Sequence, residues 1–348
     1  MIPLPPQPAH VGWPTLAWST GPVLTGDADR LDDVLDRAFA VNPNRELAMS
    51  LAFVAVQGGR IVAERYGPTC TAHTRLISWS TAKSVTQAAV AIAVRDGMLD
   101  PAAVPVAPEW ADPQDPRHDI SLADLLAMRS GLEFNEDYVD TTGSHCLEML
   151  FGTGADDMAA YAASQPLIHP PGTEWNYSSG TTNIISRRIS QAIDEQSGEP
   201  AVESIAAFLR NELFTPLGMW SAEPRFDGAG TWIGSSYLHA TARDFAKFGY
   251  LYLRNGWWED RQLIPIEWVE RARTERSQDP EDPFLGYSEQ WWVWHDDHDT
   301  FAAHGYEGQL IAVVPDLDLV LVRLGKTPIE HRPALFDFYR EVIAAFGD

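Results

Sequence analysis

The chain has 348 residues, 45% of them hydrophobic and 21% charged, the composition of a folded water-soluble protein with one large or two modest domains. At this length roughly three quarters of the unfolded chain's surface can be buried, so no staple is required. Lys and Arg number 25 against 49 Asp and Glu, a net charge of −24, which disfavours nucleic acid and anionic membrane surfaces because both attract basic patches.

The Pro- and Trp-rich first 25 residues read as an extended surface arm. They lack a basic start followed by an apolar core, so no secretory signal is expected. LDDVLDRAFA (31–40) has helical apolar spacing, with Asp27 or Asp29 as its cap. LAFVAVQGGRIVAERYG (51–67) sets two β-rich runs around Gly58-Gly59, a hairpin signal. STAKSVTQAAVAIAVRDGMLD (80–100) predicts a core helix with Ser80 as its cap and a stop at Gly97. Residues 101–125 read as Pro- and Asp-rich loop ending at the helix start Ser121. Helices and loops then continue to about residue 225, including helical runs over 181–198 and 201–218. Residues 237–255 give another amphipathic helix.

The last quarter alternates. SEQWWVWHDD, TFAAHGYEG, QLIAVVPD and LDLVLVRLGK read as consecutive antiparallel strands, with turns at 296–299 and Pro315-Asp316. PALFDFYREVIAAF (333–346) is a closing helix. Strands therefore sit at both ends of the chain with helices between. The fold class expected is α+β, an antiparallel β-sheet flanked by helices. Residues 1–100 and 226–348 form the sheet domain, and 101–225 an all-α insertion domain. No apolar run reaches the length of about 18 residues that a membrane helix needs, and a soluble, cytoplasmic protein is expected. Cys70 and Cys146 have no CxxC or CxxH spacing, which rules out a disulfide framework and a thiolate zinc site and leaves two unpaired thiols as the expectation.

Ser80-Thr-Ala-Lys83 carries the sharpest chemistry. Residues i and i+3 share a helix face, so hydroxyl and amine can meet. A serine needs a base to become a nucleophile, and a lysine desolvated among small residues can be that base. The chain has only Lys83, Lys247 and Lys326, so a chance Ser-x-x-Lys is expected about 0.2 times. Tyr177-Ser178-Ser179 follows a Pro-Pro-Gly loop. A tyrosine there can hydrogen-bond to Ser80 and shuttle protons if Lys83 holds its phenolate form; alone, the segment also fits a helix cap. His304-Gly-Tyr-Glu-Gly308-Gln309 opens a strand, where glycines permit close approach and an oxyanion-hole N–H; alone, it also fits a hairpin turn.

Together these segments resemble the serine β-lactamase and penicillin-binding-protein superfamily, on the branch of class C β-lactamases, family VIII carboxylesterases and 6-aminohexanoate-dimer hydrolases. Ser80–Lys83 matches SxxK, Tyr177-Ser178-Ser179 matches Tyr-x-Asn, and Tyr306-Glu307-Gly308 matches Lys-Thr-Gly. LLAMRSGLEFNEDY (125–138), PPGTEWNYSSG (170–180), FTPLGM (214–219) and ATARDFAKFG (240–249) look like the same branch, over about residues 45–325. The resemblance implies a β-lactamase/transpeptidase-like fold and an acyl-enzyme mechanism. Ser80 attacks a carbonyl, Lys83 and Tyr177 exchange its proton, and N–H groups of Ser80 and the Gly308–Gln309 region hold the oxyanion.

Two departures bear on substrate. Ser179 stands where β-lactamases carry Asn, and Tyr306-Glu307-Gly308 replaces a cationic element, so an anionic antibiotic is a poor expected substrate. The expected substrate is a small, uncharged ester or amide. Ser179, Tyr306, Glu307, Gly308, Gln309 and Tyr138 are the expected substrate-binding residues, and Phe134 and one face of Trp291, Trp292 and Trp294 are candidates for the pocket wall. β-Lactamase or D-peptidase activity, acyl transfer, and an inactive binding module on the same fold stay open. This chemistry needs no cofactor or metal, and a homodimer is a possible assembly. Leu324-Gly325-Lys326-Thr327 lacks the first glycine of a phosphate loop. His295 and His298 among Asp296, Asp297 and Asp299 read as an exposed polar turn rather than a metal site.

Overall fold

A computed structural model describes residues 1–40, 47–139, 142–197 and 202–347. Gly198 and Ala201, where one expected helix ends and the next begins, lie outside the described residues. Among the described residues, nine strands form the main sheet. They are β1 (Ser19–Thr20), β2 (Met49–Gln57), β3 (Arg60–Tyr66), β4 (Ser277–Gln278), β5 (Leu285–Tyr287), β6 (Trp292–Trp294), β7 (Phe301–Gly305), β8 (Gln309–Val314) and β9 (Leu319–Lys326). Their order is β1-β3-β2-β9-β8-β7-β6-β5-β4. Both ends of the chain meet where β2 pairs antiparallel with β9. The other neighbours are antiparallel too, except that β1 joins the edge parallel to β3, so part of the expected surface arm is a strand. Gly58 and Gly59 have φ of 56° and 76°, the left-handed pair that a two-residue hairpin turn requires.

Period-two alternation assigns the faces. Phe53, Ala55, Leu319 and Leu321 pack under helices α1 (Ala28–Phe39) and α5 (Arg332–Gly347). Val54, Val56, Val320 and Val322 pack under α2 (Ala82–Arg95) and α4 (Ala242–Leu253). The second core continues without a break into the middle of the chain, through Leu125, Met149 and Ala162 to Ile184 and Ile185 on α3 (Ser179–Ser197). Each fully buried side chain of this size stabilises by about 1.5–3 kcal/mol. Both cysteines are free. No helix among the described residues is long and apolar enough to cross a membrane.

Two helix starts differ from expectation. α2 begins at Ala82, after a 3-10 turn over Trp79–Thr81, and Thr81 rather than Ser80 occupies its N-cap. α4 begins at Ala242, where the Thr241 hydroxyl accepts from the Asp244 N–H, because Leu238–Ala240 is drawn into a short strand beside Leu76–Ile77.

Candidate active site

Ser80 sits in the turn that leads into α2. Ser78 ties this turn to the neighbouring segment, its N–H bonding the Leu238 carbonyl at 2.8 Å and its hydroxyl the Ser236 carbonyl at 3.0 Å. Trp79 adopts φ of 43°, a left-handed conformation that costs a bulky residue about 1–3 kcal/mol. Ser80 remains 9% exposed at the floor of a cavity of about 430 Å³.

One turn further, Lys83 is 2% exposed and its Nζ has three partners. These are Ser80 Oγ at 2.9 Å, Ser179 Oγ at 2.9 Å and the Ser235 carbonyl at 3.0 Å. Burial holds its pKa below that of an ordinary lysine, while the nearby Glu136 pulls it back up. The Tyr177 ring lies under this amine, 4.8 Å from Nζ to the ring centre. Burial first, then Glu136, pushes the Tyr177 pKa far up, although its contact with Ser80 works the other way. Burial therefore favours the protonated phenol over the phenolate at Tyr177. Trp292, tilted 30° at 5.5 Å, and Tyr287, edge-on at 5.8 Å, wedge its ring.

The Ser178 hydroxyl caps α3 by accepting from the Thr181 N–H at 3.0 Å, so the YSSG segment is both a cap and part of the site. Ser179 is 1% exposed and meets Lys83 and Glu136 instead of lining the cavity. Tyr138 does line the cavity, with its hydroxyl on Glu136 at 2.8 Å and its ring 4.9 Å from that of Tyr306.

The opposite wall is the end of β7 and the turn after it. A Cβ on Gly305 would lie 2.6 Å from the Ser78 carbonyl oxygen and 3.2 Å from Ser80 N, so the strand reaches the Ser80 turn only because this residue has no side chain. Gly305→Ala is expected to lower kcat/KM about tenfold or more by displacing one wall against the other. Steady-state kinetics on a folded variant check this, and a wild-type rate would show that the walls shift harmlessly.

Tyr306, Glu307 and Gly308 line the cavity. Buried Arg323 fixes their turn from behind through the Glu307 and Gly308 carbonyls, both at 2.9 Å. Gln309 is instead 2% exposed, its amide spent on the Tyr306 and Gly325 carbonyls and the Gly325 N–H. His304 also lines the cavity and accepts from the Trp294 indole at 2.8 Å, and burial pushes its pKa down to about 3. It is a neutral side chain.

Among the aromatics, Trp292 faces the cavity while Trp291, Trp294 and Phe134 are core. His295 pairs with Glu275 and His298 with Asp316. Sequence reasoning missed Glu136, which lies inside the quoted LEFNEDY stretch, and the Ser235 carbonyl. A carboxylate two residues before Tyr138 carries no local signal, and a backbone oxygen carries none at all.

The family model Beta-lactamase matches residues 35–346. The 6-aminohexanoate-dimer hydrolase of Paenarthrobacter ureafaciens is 25% identical over 314 residues, 86% of this chain and 78% of that protein. A candidate 6-aminohexanoate-dimer hydrolase from Bacillus anthracis superposes with a TM-score of 0.76 at 20% identity, over 98% of this chain and 90% of its own. EstCE1, a hydrolase with promiscuous acyltransferase activity, superposes with a TM-score of 0.67 at 15% identity, over 92% and 98%.

Proposed function

Because the chain belongs to the Beta-lactamase family, we propose that it is a serine hydrolase. It acts through an acyl-enzyme on an ester or amide bond of a small substrate that carries no negative charge. The observation that carries the reading is the 2.9 Å contact between Ser80 Oγ and the amine of Lys83, whose pKa burial holds down. A neutral amine there takes the Ser80 proton as the oxygen attacks the carbonyl carbon. Tyr177, as a phenol, protonates the leaving oxygen or nitrogen. Water then attacks the ester on Ser80, giving one proton to Tyr177 and so restoring its phenol, and the acid is released as Lys83 hands its proton back to Ser80 Oγ. Over the cycle the proton removed from Ser80 is returned to it, and one water is consumed. The N–H groups of Ser80 and of the turn residues after Gly305 are the donors for the oxyanion. A fluorophosphonate probe that labels Ser80, with peptide mapping to locate the adduct, tests the reading. Labelling elsewhere, or none, rejects it.

The charge of the lining supports the substrate class. Glu136, Asp279, Glu281 and Glu307 face the cavity against Arg332, itself 3.2 Å from Asp282. A carboxylate placed near Glu307 meets about 1 kcal/mol of repulsion even when well screened, roughly a fivefold loss of affinity. At equal concentrations, short p-nitrophenyl esters are expected to exceed nitrocefin and benzylpenicillin in kcat/KM. Added salt should narrow the gap. The reverse order would reject the substrate class and leave the Ser80 mechanism standing. The 6-aminohexanoate-dimer hydrolase relative makes linear amides the first alternative to esters.

A further inference from the structure

The carboxylate of Glu136 lies beside the catalytic amine without touching it. It accepts from the Ser179 N–H at 2.8 Å, from the Tyr138 hydroxyl at 2.8 Å and from the Ser179 hydroxyl. Three donors on two oxygens fix it in place. Its bond to the Ser179 hydroxyl has a directional consequence. A carboxylate can only accept, so the single hydroxyl proton of Ser179 points at Glu136. Toward Lys83, at 2.9 Å, Ser179 Oγ can then only accept. The Ser235 carbonyl at 3.0 Å can only accept as well.

A neutral amine has two N–H bonds and one lone pair. With both N–H groups directed at Ser179 and Ser235, the lone pair is left for the third hydrogen-bond partner among the described residues, Ser80 Oγ at 2.9 Å. We infer that Glu136 is a positioning residue for the base: by holding Ser179 as an acceptor, it makes neutral Lys83 present its lone pair to Ser80. Without the carboxylate, the Ser179 hydroxyl can turn and donate to Lys83, occupying the electron pair that should receive the Ser80 proton. This inference rests on the reading of Lys83 as the general base of a Ser80 hydrolase.

The titratable groups that face Lys83 are Glu136, Cys146 and Tyr177. Among them the Glu136 carboxylate does most to raise the Lys83 pKa, ahead of Cys146. Removing that charge lowers the Lys83 pKa further. The acid limb of kcat/KM, which rises as the base loses its proton, then moves to lower pH while the plateau falls. A merely structural residue would lower the plateau without moving the limb in that direction.

The experiment compares wild type, E136Q, S179A and the E136Q/S179A double variant on one p-nitrophenyl ester across pH, with S80A alongside and circular dichroism to verify folding. An amide at position 136 cannot accept on both of its arms, so E136Q disturbs the orientation at little cost in volume. Both single variants are expected to lose about 10- to 100-fold in kcat, part of the 10²–10⁴ that general-base catalysis supplies, with KM within about threefold. The double variant is expected to be within about twofold of the worse single one, because both residues act through one contact. The acid limb of E136Q moves to lower pH. An E136Q enzyme with normal kcat, a loss confined to KM, or losses that multiply in the double variant would overturn the inference. Should E136Q fail to fold, S179A alone decides, since a normal kcat there breaks the same chain of contacts. An active S80A would overturn the hydrolase reading and this inference together, whereas an inactive S80A beside a normal E136Q overturns this inference alone.

Discussion

Ser80→Ala is expected to lower kcat/KM on ester substrates by at least about 10⁴-fold, the scale on which losing the nucleophile removes an acyl-enzyme route. The fold should survive. The change deletes one oxygen at the cavity floor, and Lys83 keeps its bonds to Ser179 Oγ and the Ser235 carbonyl, so the stability cost is that of one hydrogen bond, about 1 kcal/mol. Steady-state kinetics, thermal unfolding and loss of fluorophosphonate labelling measure the three parts. If the alanine variant kept a tenth of the wild-type rate, Ser80 would not be the nucleophile.

Lys83→Arg is the second large effect. Arginine keeps a positive charge but does not deprotonate in proteins, so it cannot accept the Ser80 proton, and a loss of at least about 10²-fold is expected. The pH dependence carries the sign. Burial lowers the Lys83 pKa, so the wild-type rate rises with pH through a value below that of an ordinary lysine, and the arginine variant shows no such rise. Because the site is closed around Lys83 and arginine is bulkier, Lys83→Met serves as the companion variant. It fills similar volume, carries no proton acceptor and should lose at least as much. Near-normal rates in both folded variants would make the lysine structural.

The two helix starts that differ from expectation share a cause. Serine favours a capping position, but the Ser80 hydroxyl lies 2.9 Å from the Lys83 amine and Thr81 takes the N-cap. The pairing of Leu238–Ala240 with Leu76–Ile77 shortens α4 and draws the Ser78 turn close. Capping propensity is a local quantity. Whether the cap forms depends on which partner the fold brings near.

Six of the nine strands, their alternating faces, the Gly58-Gly59 turn and the Ser80–Lys83 spacing were legible because each depends on residues a few positions apart, where periods of 2.0 and 3.6 convert sequence directly into direction, whereas the short strands β1, β4 and β5 were not. Tyr177 followed from its likeness to a known motif, not from periodicity. Only the tertiary structure decided that Ser179 serves Lys83, that Gln309 is spent behind the turn, and that Glu136, 43 residues from Ser179 along the chain, closes the network. Those outcomes depend on where separate elements dock. A hydroxyl three residues from an amine is constrained by the helix itself, whereas a carboxylate on a loop is placed only by the packing of everything beneath it.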